Sequence, residues 1–292
     1  MAQDSLHRYL FDGVSVRGEL VQLSDSFQQL TGSKDYPAPV KRLLGELMTA
    51  TSLLTATLKF EGSITVQLQG DGPVSLVVIN GNHNQVLRGT ARWNDSLPSE
   101  GTLPELMGNG HIVITIEPEK GERYQGIVGL EADTLEACLE DYFARSEQLK
   151  TRLWLRTGDA DGQDKAAGML LQILPDGLGN NEQDFDHLAQ LTETVKSEEL
   201  FKLDAEEVLY RLYHQENVKV YEPKTVTFKC SCSRERSASA IAAIERQEIE
   251  KMVEETGNIK LHCDYCGTDY EFDSVDISSI YEQNGPASDT VH

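Results

Sequence analysis

Four of the five cysteines in this 292-residue chain fall in two close pairs near its C-terminal end. Cys230-Ser231-Cys232 reads C-x-C. Cys263-Asp264-Tyr265-Cys266 reads C-x-x-C and is followed by Gly267, with thirty residues between the pairs. Zinc takes four soft ligands in a tetrahedron at Zn–S distances near ~2.3 Å. A close pair lets two thiolates reach one ion from a single turn, and a second pair completes the shell. A glycine after the second pair suits a tight turn. The spacing therefore predicts a four-thiolate zinc site on Cys230, Cys232, Cys263 and Cys266. Two other readings stand beside it. The cysteines could be small buried residues, or Cys263 and Cys266 could be a thioredoxin-like pair, although the βαβ pattern that reading requires is missing. His262 adjoins Cys263, but four thiolates already fill the shell, so it is read as a supporting or surface residue. Cys138 stands apart on an apolar helix face and is read as a packed hydrophobe.

Between the pairs, Ser237 to Glu255 reads as one helix with Ile241, Ile244, Ile249 and Val253 roughly on a single face. Few apolar residues lie between Cys230 and Tyr281, and a module of that size is near the lower limit for an unaided fold. Zinc must supply much of its stability, since structural sites are worth on the order of 10–16 kcal/mol in peptides. That dependence makes redox switching possible. Thiolates are the oxidisable form, and the spacing permits each pair to close its own disulfide. C-x-x-C does so readily, C-x-C under strain. Two disulfides would use all four ligands and expel the metal.

The rest of the chain supports a folded protein. It is 39% apolar and 25% charged, which is ordinary for a globular domain. The expected class is α+β: an α/β-sandwich-like N-terminal domain with an antiparallel sheet, a helical linker and a small zinc-binding domain built on the four cysteines. In the first part, Leu10 to Leu23 has strand character and Val40 to Leu58 reads as a helix. Ile64–Leu68, Val74–Ile79 and Val86–Trp93 form a meander separated by turn signals. Asp133 is expected to cap a helix with Glu136 in the box position. Strands at Thr151–Arg156 and Gly168–Leu174 close this domain near residue 178. Residues 179–229 read as a charged linker whose short amphipathic helices need a surface to lie on. Phe185, Leu188, Leu191 and Val195 mark the first of them; Asp204 is expected to cap the second, with Glu207 in the box position and Val208, Leu209 and Leu212 on its buried face. Residues 230–282 form the zinc module, and 283–292 read as a disordered tail.

Several function classes fall away. With 48 acidic against 26 basic residues the formal charge is −22, and within residues 230–292 the acidic residues outnumber the basic by eight. Phosphate binding wants a basic face, so no nucleic-acid partner is expected. The best apolar helical run, Leu47–Leu58, is too short to span a bilayer, and no secretory signal is read at the N-terminus. The expected home is the cytoplasm, with reduced cysteines. Gly70-Asp71-Gly72 and Gly108-Asn109-Gly110 are read as hairpin turns rather than phosphate loops. No nucleophile, base or nucleotide motif emerges, so no enzymatic activity is expected.

The segments Cys230-Ser231-Cys232-Ser233-Arg234-Glu235-Arg236 and His262-Cys263-Asp264-Tyr265-Cys266-Gly267 resemble the zinc-site signatures of the 33-kilodalton heat-shock proteins, the redox-regulated bacterial chaperones. Leu6–Phe11, Ile64–Pro73, Leu139–Phe143, Arg145–Gln148 and Gly168–Gln172 extend the resemblance over nearly the whole chain. It implies an ATP-independent holdase, zinc-bound and inactive when reduced. Oxidation would link Cys230–Cys232 and Cys263–Cys266, release zinc and unfold the module and linker. The active form would be a homodimer that binds unfolding client proteins. Candidate client surfaces are the apolar linker faces, such as Phe185, Leu188, Phe201 and Leu209, and the N-terminal sheet. Ser237 stands where some members carry a further cysteine, outside the four ligands. The alternative is a constitutive zinc-ribbon interaction protein.

Overall fold

The computed structural model describes residues 4–58, 60–174 and 181–284. Its contacts divide the chain into two compact units, Met1–Lys229 and Cys230–His292.

Alternating apolar residues at the start of the chain build β1 (Ser5–Phe11) and β2 (Val16–Leu23), an antiparallel hairpin. A short helix α1 (Asp25–Thr31) leads to α2 (Ala38–Thr57). The expected meander follows as β3 (Gly62–Gly70), β4 (Val74–Asn82) and β5 (Val86–Trp93), each pairing with the next. Then come α3 (Leu103–Met107), β6 (Gly110–Pro118), β7 (Tyr124–Gly129) and α4 (Leu135–Tyr142). A π turn at Phe143–Glu147 precedes the long hairpin of β8 (Thr151–Ala160) and β9 (Gln163–Ile173). Strand β2 pairs with β9, so β1-β2-β9-β8 form one sheet, here sheet A. Sheet B runs β5-β4-β3-β6-β7.

Helix α2 packs against strands of both sheets. Fourteen of its 20 residues are buried, as expected for a helix covered on every side. Three of its four buried hydroxyls are satisfied within the core: Thr51 and Thr55 donate to the carbonyls four residues back, and Ser52 donates to Gln85, while Thr49 Oγ1 has no partner. This α+β arrangement, two antiparallel sheets with a helix between them, agrees with the expected class.

The outer face of sheet A is also apolar. Tyr9, Phe11, Val16, Leu20, Trp154, Met169 and Leu171 point away from α2 and are still buried. Gly18 lets the Tyr9 ring lie flat on the sheet, since a Cβ there would meet the ring at 2.1 Å. What covers this face is the linker. Helices α5 (Asn181–Thr192), α6 (Ser197–Lys202) and α7 (Ala205–Tyr213) set Phe185, Leu188, Leu200, Val208, Leu209 and Tyr213 against it. The Tyr213 ring stands edge-on to Phe11 at 5.0 Å. Gln22 donates to the carbonyls of Leu200 and Leu203, and Trp154 Nε1 donates to Glu193. The linker then adds β10 (Val218–Val220) and β11 (Lys224–Thr225) to the edge of β1, and β12 (Thr227–Phe228) parallel to β5.

Several local expectations need correction. Thr134, not Asp133, caps α4, accepting from Ala137 N–H. Glu136 instead accepts from the Leu155 N–H and from Arg156. Asp204 precedes α7 in extended backbone, but its side chain makes no cap, and Glu207 pairs with Arg211. Gly108–Gly110 is the end of α3 rather than a hairpin turn: Gly108 takes φ +63°, and Asp71 binds the Asn109 N–H across from it. The linker contains a third helix, α6, that periodicity did not reveal. The tail read from 283 lies largely outside the described residues.

Glu19 is an unusual occupant of sheet A. It is 1% exposed and its Oε2 has no partner. Burial raises its carboxyl from 4.5 to about 7, against the pull of Arg17 and Arg8. The folded state thus holds this proton more tightly than the unfolded one. Ionisation costs stability progressively as pH rises from about 4.5 through 7. The full cost above pH 7 is roughly 3 kcal/mol. Glu19→Gln should therefore stabilise the first unit by up to that amount at pH 8 and leave it unchanged at pH 4.5. Denaturant titrations at the two pH values check this, and equal gains at both would show that ionisation is not the cause.

Candidate metal centre

The second unit is small. Its helices are α8 (Arg234–Ala242), α9 (Arg246–Thr256) and α10 (Ser274–Asn284), with a hairpin of β13 (Ile259–His262) and β14 (Asp269–Phe272). Ser237–Glu255 is therefore two helices, not one. The break falls at 243–245, and Ile244 is exposed rather than buried. Among the described residues, only Ile241, Ile249, Val253, Ile259, Phe272, Ile277 and Ile280 form its buried core.

The β13–β14 hairpin presents Cys263 and Cys266 from its connecting turn. Cys263 N–H donates to the Thr268 carbonyl and Gly267 N–H to the Cys263 carbonyl, both at 2.9 Å. Gly267 takes φ +73°, a left-handed conformation that favours glycine, as the sequence suggested. Cys230 and Cys232 come from the segment before α8. That segment is pinned by its own basic residues. Arg236 donates to the Ser231 carbonyl at 2.8 Å. Arg234 donates to the Glu271 carbonyl, pairs with Asp276 at 2.7 Å and lies over the Phe272 ring. Ser233 caps α8 by accepting from Arg236 N–H.

These elements bring all four expected residues together. The four Sγ atoms lie within 4.8 Å of one another. Cys230 and Cys263 are 3.6 Å apart, and Cys232 and Cys266 3.3 Å. Those separations are far beyond a disulfide bond of about 2.05 Å. They approach the edge of about 3.8 Å that a tetrahedron of thiolates at ~2.3 Å from zinc would have. The electrostatics divide the group. Burial pushes Cys230 up to about 12. Burial also opposes ionisation of Cys266, but the Thr268 hydroxyl and backbone N–H outweigh it and bring that thiol down to about 6. Four sulfurs this close cannot share negative charge without a cation among them, so the cluster can hold a metal ion, and its donor set suits zinc.

His262 is not among the ligating atoms. Its Nδ1 meets Asp269 at 2.7 Å on the exposed side of the hairpin. Cys138 is buried in the main core and reaches the Ala132 carbonyl at 3.8 Å. Sequence reading missed Tyr270, whose hydroxyl donates to Cys232 Sγ at 3.2 Å, and Thr268. Arg234 and Arg236 entered the sequence reading only as part of the signature that carries the family resemblance. Partners of metal-bound atoms typically carry 10- to 100-fold in affinity. Tyr270→Phe should thus weaken metal binding by about tenfold with the fold intact. Competition against a chromophoric chelator measures this.

Among the described residues no helix is long and apolar enough to cross a membrane. The family model described as Hsp33 protein matches residues 4–273. A protein named 33 kDa chaperonin from Photobacterium profundum is 67% identical over 282 residues, covering 97% of this chain and 96% of its own. Another of that name from Aliivibrio fischeri is 61% identical over 292 residues, covering all of both. The crystal structure of the 33 kDa chaperonin from Thermotoga maritima superposes with a TM-score of 0.82 over 96% of this chain and 99% of that one, at 21% identity, which supports the shared fold. Sequence match, fold and the four-cysteine cluster agree that this chain belongs to the Hsp33 protein family.

Proposed function

We propose that this protein is a redox-regulated, ATP-independent holdase, with zinc on Cys230, Cys232, Cys263 and Cys266 as its latch. The observation that carries the reading is the double use of the linker. It covers an apolar sheet face that no soluble protein would leave bare, and it runs directly into the first thiol. Lys229 N–H makes the last ladder bond of the first unit, to the Leu87 carbonyl, and Cys230 is the next residue.

In the reduced state the four thiolates hold zinc, and the small second unit is ordered around it. An oxidant such as peroxide takes two electrons from each pair. Sulfur–sulfur bonds form at Cys230–Cys232 and Cys263–Cys266, each peroxide leaves as two hydroxides, and the zinc departs as the divalent ion. The second unit then loses its order. The short, charged linker helices, marginal by themselves, peel from sheet A and expose it to unfolding clients. Membership of a chaperone family supports the holding role, and free thiols in such a latch call for a reducing compartment, the cytoplasm. The family resemblance supports a homodimer as the active form.

Light scattering from a heat-unfolding client enzyme tests the reading. The peroxide-treated, zinc-free protein should suppress aggregation, and the reduced, zinc-loaded protein should not. Equal suppression by both would sink the switch. Zinc release measured against thiol loss separates it from a constitutive zinc-ribbon adaptor, which would keep its metal under mild oxidant.

A further inference from the structure

Sheet A ends on two edges, and they are protected in different ways. On β8, the backbone N–H groups of Leu153 and Leu155 donate to the Glu140 and Glu136 carboxylates of α4, at 2.8 and 3.2 Å. That edge is sealed by the core domain itself. On β1 the protection comes, among the described residues, from the linker. Asn217 to Val226 runs antiparallel along it from Asp12 back to Asp4. Three main-chain bonds of 2.9 Å frame the ladder: Asp12 N–H to Asn217 O, Tyr221 N–H to Arg8 O, and Val226 N–H to Asp4 O. The register slips by one residue between β10 and β11, at the Glu222–Pro223 step.

Two side chains of this covering segment are anchored: Val226 is 3% exposed in the main core, and Val218 packs against the outer-face cluster. Lys219, Glu222, Pro223, Lys224 and Thr225 are exposed, and Val220 and Tyr221 are each 37% exposed. Between these two anchors the linker strand is held to β1 chiefly through its backbone, so an extended polypeptide with small apolar side chains at those two positions could replace it. The edge is also continuous with the apolar outer face, because Tyr9 and Phe11 of β1 belong to that face. A bound strand would therefore meet main-chain donors and acceptors along one side and an apolar surface along the other.

We propose that β1 is the site of client capture, and that an extended segment of an unfolded client adds to sheet A as a strand in place of residues 217–226. This rests on the switch reading above and names the partner of that state: unfolded backbone, recognised with little regard to side-chain identity. An edge of this kind is an aggregation hazard when uncovered, which is why it is masked in the reduced state.

The test uses the full-length protein in two states, reduced with zinc and oxidised without it. The probe is a ten-residue peptide of alternating valine and threonine with a fluorescent end group. Its twin carries N-methyl groups on the four central residues. Methylation removes the backbone donors and adds apolar surface, so an apolar groove alone would hold the twin at least as tightly. Strand addition predicts that the oxidised protein binds the parent peptide at least tenfold more tightly than the twin. It also predicts at least tenfold tighter binding of the parent to the oxidised than to the reduced form. A ¹³C-carbonyl label in the parent should show the infrared shift of an added strand. If the oxidised protein suppresses client aggregation but binds parent and twin alike, or binds neither, strand capture is wrong and the switch stands. If it does not suppress aggregation at all, the switch itself has failed.

Discussion

Stripping the metal from the reduced protein should unfold residues 230–284 while both sheets of the first unit stay folded. The reason is the size of the second core. Seven buried apolar side chains cannot offset the conformational entropy of ordering more than fifty residues. Zinc held by four thiolates is worth on the order of 10–16 kcal/mol, and no other feature of the unit approaches that. The surface ion pairs, such as Arg246 with Glu250 and Lys260 with Asp269, lie in solvent, where screening and side-chain entropy leave them little net effect. Backbone amide spectra before and after chelation would show the signals of α8 to α10 collapsing to the unfolded range. The same collapse is expected for Cys232→Ser, which removes one ligand. A second unit that keeps its dispersed spectrum without metal would end the latch argument.

The second large effect is expected from the linker face. Phe185 and Leu209 are 0% and 3% exposed against sheet A. Replacing such residues by alanine costs about 2–5 kcal/mol each through lost burial and the cavity left behind. The linker helices have little stability of their own to absorb that loss. Phe185→Ala combined with Leu209→Ala should release the linker without any oxidant and give a protein that holds clients while its zinc is still bound. Tyr210→Ala is the matched control: Tyr210 lies on the same helix as Leu209 but is 71% exposed, so its loss should change little. Hydrogen exchange at residues 181–229, followed with the scattering assay, separates the steps. A double variant whose linker exchanges freely but which still fails to hold clients would show that uncovering sheet A is not enough.

Much of this was legible in the sequence, for reasons that differ by element. The meander of β3 to β5 was clear because alternation and turn residues coincide there. The cysteine cluster was clear because ligand spacing is a covalent fact that folding does not alter. The linker's need for a surface also followed from its short, charged helices, although which surface did not. Phe185, Leu188 and Leu209 were read as faces for clients, and in this state they face sheet A. Helix α6 and strands β10 to β12 were illegible because six residues, and two or three residues, are too few to establish a periodicity. The strands are held by backbone bonds to residues far away in the chain. The break near Ile244 was hidden because helical spacing continues across it. Tyr270 gave no signal, since its tie to Cys232 exists only once the hairpin has formed.

The linker's covalent attachment to the surface it masks has a consequence for release. A tethered mask returns with a local concentration in the millimolar range, whatever the abundance of the protein. On the proposed switch, a client held on sheet A would compete with the chain's own residues from the moment the thiols are reduced and zinc returns. Refolding of the second unit would draw the linker back and displace the client, so the chemical energy of thiol reduction and metal binding would do the work for which other chaperones hydrolyse a nucleotide.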